Sequence, residues 1–258
     1  MIFNWLDHPS FHRDEQLIAI LYDLGMASKR QLQVITGWHP LTLKDRLRQI
    51  RKRGRTKEEK DLWLKAYPIP GQSRDVAYSL GRLGLEYAQE MALQLHRVRE
   101  APQAQVAHYV GINDILVRLL EQGVSRDRII WLSSTEATDV LLRQWDRKQK
   151  QKLDRRDLIR PDARLILDNK NRYWIEYDNN TEGPRQLERK FHAYVKTLMP
   201  IKETSPVVWV AFTENRRDYL KANWEAFVNL FYKDEFVPQM YFFIPGEDTQ
   251  FFLSNLQA

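Results

Sequence analysis

Acidic side chains fall at both ends of one short stretch of this chain, in a pattern suited to a divalent cation. Pro161-Asp162 precedes the run Ala163 to Leu167, and Glu176-Tyr177-Asp178 closes the run that starts at Tyr173. Both runs alternate as strands, and Asp168-Asn169-Lys170-Asn171 between them is rich in turn formers, so the spacing predicts a hairpin. The open ends of an antiparallel pair are neighbours, which lets Asp162, Glu176 and Asp178 converge; Glu176 and Asp178, two apart, share a face. Hard carboxylate oxygens hold magnesium, and phosphodiester hydrolysis needs that ion together with a group that orients water or offsets charge. Lys190, on a helix predicted from about Pro184 to Leu198, is the candidate for the second role. The competing reading is that these acids are solvated strand ends.

A second concentration of charge is basic. The segment from Lys44 to Lys60, KDRLRQIRKRGRTKEEK, carries nine basic residues against three acidic ones. Leu43, Leu47 and Ile50 form an apolar stripe, while Lys44, Arg48, Arg51 and Lys52 point mostly elsewhere. A recognition helix presents charge to phosphates in this way while its other side packs inward. A solvated basic face on an ordinary helical bundle is the plainer alternative.

The elements around these residues are legible from periodicity. Asp14 to Leu24 reads as a helix stopped by Gly25, Ser28 caps a second that ends at Gly37, and a third begins near Thr42. Three short helices with the tight Gly37-Trp38-His39-Pro40 connection suggest a helix-turn-helix. LWLKAY at 62 to 67 and VAYSL at 76 to 80 read as strands of a wing around Pro68-Ile69-Pro70-Gly71, and a helix from Gly81 carries Leu83, Tyr87, Met91 and Leu95. This order resembles a winged-helix domain. Its DNA contacts would be Lys44, Arg46, Arg48, Arg51, Lys52 and Arg53, with Lys65 or Arg74 near the wing reaching a neighbouring backbone.

Residues 96 to 104 contain Pro102 and break periodicity, so the expected organisation is a winged-helix domain over 1–96, a linker over 97–104 and an α/β domain over 105–258. The second domain reads as a helix to about Glu121, a strand from Arg128 to Leu132, the hairpin, the helix from Pro184, a buried strand from Val207 to Phe212, a helix near Arg217 to Tyr232 and a strand from Met240 to Ile244. That is a mixed α/β (α+β) layered fold. Arg143 to Arg160, with eight basic and three acidic residues, reads as an exposed helix end or loop.

Composition narrows the function classes. The 258 residues hold 43% hydrophobic and 29% charged side chains and a formal charge of +6. No apolar run is long enough for a membrane helix, and no export signal opens the chain, which predicts a cytoplasmic protein without a membrane partner. There is no cysteine, so disulfides, thiolate nucleophiles and cysteine zinc sites are excluded. Residues 1 to 100 carry 17 basic against 12 acidic side chains, and the remainder 23 against 22, so the excess that favours a polyanion sits at the front. The six histidines show no zinc spacing, and no phosphate loop or nucleophile elbow is present. Trp174, Trp209 and Trp224 sit amid apolar neighbours and are expected in the core.

Two resemblances gather these residues. Pro161-Asp162 followed by Glu176-x-Asp178 on a hairpin resembles the PD-(D/E)xK nuclease core, except that Asp178 stands where its lysine is expected. The resemblance implies magnesium on Asp162, Glu176 and Asp178, with Lys190 as a migrated lysine, or else a core without activity. The longer pattern resembles the replication-relaxation family: a winged helix, His108, Asn113 and Asp114 in a helix, Pro161-Asp162-Ala163, then Glu176, Asp178, Thr181 and Glu182, and finally Lys190 and Tyr194. Asn113, Asp114 and Glu182 are candidate auxiliary ligands. This resemblance implies an accessory protein of plasmid or mobile-element replication, relaxation and mobilisation. It would bind double-stranded DNA and work beside a relaxase or replication initiator. A magnesium-dependent nicking endonuclease and a winged-helix transcriptional regulator are the alternatives. A homodimer is compatible with each, although no dimerisation motif is visible.

Overall fold

Gly25 and Gly37 set the geometry of the first elements. Both adopt positive φ, 72° and 67°, and end α2 (Arg13–Leu24) and α3 (Lys29–Thr36), which follow a short α1 (Ile2–Leu6). Gly37 sits in the left-handed region, and its N–H donates to the Gln33 carbonyl at 2.8 Å, closing α3. Ser28 opens that helix with a reciprocal capping box, its hydroxyl accepting from the Gln31 N–H while Gln31 reaches back to the Ser28 N–H.

The computed structural model describes residues 2–6, 8–53, 62–91, 100–149, 158–233 and 235–257, with the side chains of residues 73, 74 and 257 also left out. The basic tail beyond Arg53, the expected helix end at Leu95, the first part of the expected linker and residues 150–157 of the basic stretch lie outside the described residues. Among the described residues there are ten α-helices and two sheets, the mixed α/β (α+β) class expected from the sequence.

The chain divides into two compact units, Met1–Arg126 and Asp127–Ala258. In the first, β1 (Met26–Ser28), β2 (Leu64–Ile69) and β3 (Gln72–Leu80) form an antiparallel sheet of order β1-β3-β2. With α4 (Pro40–Arg53) the order is α2-β1-α3-α4-β2-β3, and α5 (Arg82–Glu90) follows. The expected helix near Thr42 starts two residues earlier because Pro40, with its fixed φ and missing N–H, suits a first helical turn. Strand β1 was not visible in the sequence; three residues between two helices carry too little alternation.

The expected boundary at 97–104 needs correction. Helix α6 (Val106–Glu121), assigned by sequence to the second domain, packs in the first unit. Asn113 donates to the Met26 carbonyl at 2.6 Å, Gln31 donates to the Val110 carbonyl at 2.7 Å, and Val106 and Val110 join Met26, Ile69 and Ala77 in one apolar cluster. A break in periodicity marked a loop there, but burial decides where a domain ends.

The second unit contains a five-stranded sheet of order β4-β5-β6-β7-β8. Strands β4 (Ile129–Ser133), β5 (Ala163–Leu167) and β6 (Asn171–Asp178) are antiparallel, whereas β7 (Val207–Ala211) and β8 (Met240–Phe243) run parallel to β6. The hairpin turns through Asp168 and Asn169 at φ 52° and 56°, a region those residue types tolerate. Helix α8 (Pro184–Leu198) crosses from β6 to β7, and α9 (Glu214–Phe231) from β7 to β8. Two helices were not placed from the sequence: α7 (Ser134–Lys148), whose last turns are residues 143–148 of the stretch read as an exposed helix end or loop, and α10 (Glu247–Gln257).

Leu187, Phe191, Tyr194 and Leu198 of α8 are all buried, as their spacing requires, and Trp174 and Trp209 have no exposed surface. Phe191 meets Trp209, Trp224 and Phe227 edge-on or tilted, with ring centroids 5.2 to 5.7 Å apart. Truncating this hub leaves a cavity between three large rings. Phe191→Ala is expected to destabilise the protein by about 3–5 kcal/mol, seen as a lower urea midpoint with an unchanged slope.

Candidate functional site

The carboxylates that opened the sequence reading lie on or beside β6, at the carboxyl ends of the parallel strands. Glu176 pairs in register with Trp209, and Asp178 with Ala211. As even-numbered residues after Trp174, they share the face covered by α8 and α9. Glu176 is fully buried. The Tyr194 hydroxyl donates to its Oε1 in a short hydrogen bond, and Lys190 Nζ lies 2.7 Å from its Oε2. Lys190 also bonds Glu182 Oε1 at 3.0 Å and stands 4.9 Å from the centre of the Trp209 ring. Lys190 comes three residues after Leu187 and four before Tyr194, so helical geometry turns it inward.

Asp178 has a different partner. Arg216, near the start of α9, grips it with two bonds, Nε at 2.9 Å and Nη2 at 2.8 Å, and Nη2 also donates to the Glu182 carbonyl at 2.7 Å. Asp162 accepts the Tyr177 backbone N–H at 2.9 Å. The hairpin thus does bring the three acids to one end of the sheet.

Charge in this cluster is governed by burial. Burial pushes the Glu176 carboxyl well above its ordinary value, opposed by the charge of Lys190. Burial also works against the Lys190 ammonium, but Glu176, Asp162 and Glu182 together outweigh it and hold the lysine proton well above the usual range. Tyr194 is likewise pushed up, first by burial and then by Glu176, so it remains a hydrogen-bond donor. The two hydrogen bonds from Arg216 to Asp178 raise the arginine further.

This arrangement does not fit magnesium. A Mg²⁺ site needs several oxygens aimed at one point. Here Glu176 is met by a lysine and a tyrosine, and Asp178 by a bidentate arginine. Among the described residues no group of three or more His, Asp or Glu is placed to hold a metal ion. The auxiliary candidates are also engaged: Asn113 holds Met26, Asp114 meets Arg30 and Gln31, and Glu182 meets Lys190.

The basic candidates sort into two faces of α4. Lys44, Arg48, Arg51 and Lys52 line an open groove together with Leu47, Lys29 and Tyr78, with no acid among the described residues that line it. Arg46 and Arg53, expected among the DNA contacts, point to the other side, where both pair with the buried Asp14 of α2. A turn of 100° per residue separates the two sets. Lys65 is bound to Glu100 at 2.8 Å, and the side chain of Arg74 lies outside the described residues. Sequence reasoning missed three partners. Lys29 was readable as the first residue after the Ser28 cap, whereas nothing local marked Tyr78 or Arg216.

A family model described as replication-relaxation matches residues 18–205. The chain belongs to the replication-relaxation family. Membership supports a role in plasmid or mobile-element replication or relaxation, and the matched span includes both the groove on α4 and the Glu176–Lys190 pair. No curated protein and no solved structure matches this replication-relaxation protein. No described helix is long and apolar enough to cross a membrane.

Removing Lys190 leaves a carboxylate buried without its counter-charge. Lys190→Met is expected to cost about 3–5 kcal/mol, and adding Glu176→Gln is expected to recover part of the loss. A carboxyl whose folded pKa is raised favours folding below its unfolded value and loses that contribution as pH rises. The stability of Lys190→Met, measured by urea unfolding, is therefore expected to fall more steeply than wild type as pH increases above about 4.5.

Proposed function

We propose that this replication-relaxation protein is a DNA-binding accessory factor of plasmid or mobile-element replication and relaxation. In this reading the first unit is a winged helix, α3 and α4 its helix-turn-helix, and β2 and β3 its wing. The element order α2-β1-α3-α4-β2-β3 supports that reading. The observation that carries it is the groove lined by Lys29, Lys44, Arg48, Arg51 and Lys52, without an acid among its described walls. Cations gathered along one helix face neutralise successive phosphates of a duplex, and counterion release supplies affinity.

The second unit, with the mixed sheet and crossover helix of a PD-(D/E)xK-like core, serves in this reading as a platform for a relaxase, a replication initiator or a second copy. Its carboxylates already have cationic or backbone partners, which favours an accessory role over a nicking endonuclease.

Mobility shifts on duplex DNA at two salt concentrations, beside incubation of supercoiled plasmid with and without magnesium, test the proposal. A salt-sensitive shift with intact plasmid is expected, and Glu176→Ala protein that remains folded is expected to bind as wild type does. Metal-dependent nicking that Glu176→Ala abolishes would overturn the accessory reading. Arg48→Glu with Arg51→Glu is expected to weaken binding and reduce the salt slope by about 2, near one unit per lost phosphate contact. Arg46→Ala, which loses a contact to Asp14 instead, is expected to change stability more than affinity.

A further inference from the structure

The outermost line of α4 is not uniformly basic. Leu41, Asp45, Arg48 and Lys52 are spaced four, three and four residues apart, so they follow one stripe opposite the buried Leu43, Leu47 and Ile50. All four are exposed, and Leu41 most plainly so, at 63%. Two of them are chemically out of place on a surface built for phosphates. Leu41 carries no charge or hydrogen-bonding group, and Asp45, the one acid of α4, repels a phosphate. Asp45 lies 3.3 Å from Arg48, but both side chains are more than half exposed, so the pair contributes little and opens readily.

Both residue types have a use where the helix meets base edges. An apolar side chain packs on the thymine C5-methyl group, and a carboxylate accepts from the cytosine N4 amino group in the major groove. We infer that Leu41 and Asp45 are the base-reading residues of α4, selecting a thymine methyl and a cytosine amino group respectively, while Lys29, Lys44, Arg51 and Lys52 hold the backbone. The occupant is duplex DNA because five of the seven described residues lining the flanking groove are cationic, and the inference rests on the reading of α4 as the DNA helix. The division of labour follows from position. Leu41 and Asp45 occupy the first turns, where a recognition helix enters the groove, and the cations accumulate toward its other end.

The test begins with selection of preferred duplexes from a random-sequence library by the full chain, followed by affinity measurements on a selected duplex and on its scrambled counterpart. Asp45→Ala removes a negative charge, so it is expected to bind the scrambled duplex more tightly than wild type while losing at least about fivefold in preference for the selected one. A loss of fold or of general DNA contact would instead lower affinity for both. Leu41→Ala is expected to lose preference to a similar degree. Replacing the contacted thymine by uracil is expected to reproduce that loss in wild type and add nothing in Leu41→Ala. Both surface variants are expected to match wild type in circular dichroism, which checks that they fold. Wild-type binding with unchanged preference in both variants, or without any sequence preference, overturns the inference and leaves DNA binding intact. A chain that binds no duplex overturns the DNA-binding reading itself.

Discussion

The Glu176 carboxylate, withdrawn completely from water, is tolerable because Lys190 and Tyr194 meet both of its oxygens. Desolvating an isolated carboxylate costs several kcal/mol even after relaxation, so such a group survives only with a counter-charge and satisfied hydrogen bonds. That requirement fixes much of the second unit. The acid sits on β6, and both of its partners sit on α8, one helical turn apart. The helix cannot rotate or slide along the sheet without exposing the pair to mismatch. Arg216 imposes the same condition on α9 through its two-pronged grip on Asp178 and its bond to the Glu182 carbonyl. A strand and two crossover helices are thereby registered by polar contacts, while the rings around Phe191 supply apolar burial.

The same logic separates the cations of α4. Asp14 is buried at the start of α2 and draws Arg46 and Arg53 to one flank of the helix. Those two arginines are consumed in holding α4 against α2. What remains on the other flank, beside Lys29 and Tyr78, is a surplus of positive charge, with the exposed Asp45 3.3 Å from Arg48. An internal ion pair and an exposed cationic face are thus made from one basic segment by its helical phase alone.

The two units differ in what is left after such pairing. In the second, carboxylates at strand ends, the usual place for ligand chemistry in such sheets, are neutralised from within. In the first, the charge that is left unbalanced faces outward.

How much of this was legible beforehand differs residue by residue. The apolar stripe of α8, the hairpin turn at Asp168 and Asn169, the caps at Ser28 and Gly37, the core tryptophans and the convergence of Asp162, Glu176 and Asp178 all follow from local rules: period, turn chemistry and the adjacency of strand ends. The family pattern was also carried by residues in the sequence. Strand β1 and helices α7 and α10 escaped because short or charge-rich segments carry weak periodicity. The placement of α6 in the first unit escaped because packing, rather than a proline-containing break, decides a boundary. Above all, the sequence determined which charges exist and on which helix face they stand, whereas only the tertiary structure decided which are cancelled. Arg216 and Asp178 are far apart along the chain, as are Arg46 and Asp14. Whether an acid is a ligand or half of a buried pair depends on what desolvation brings beside it, and that is a property of the folded chain.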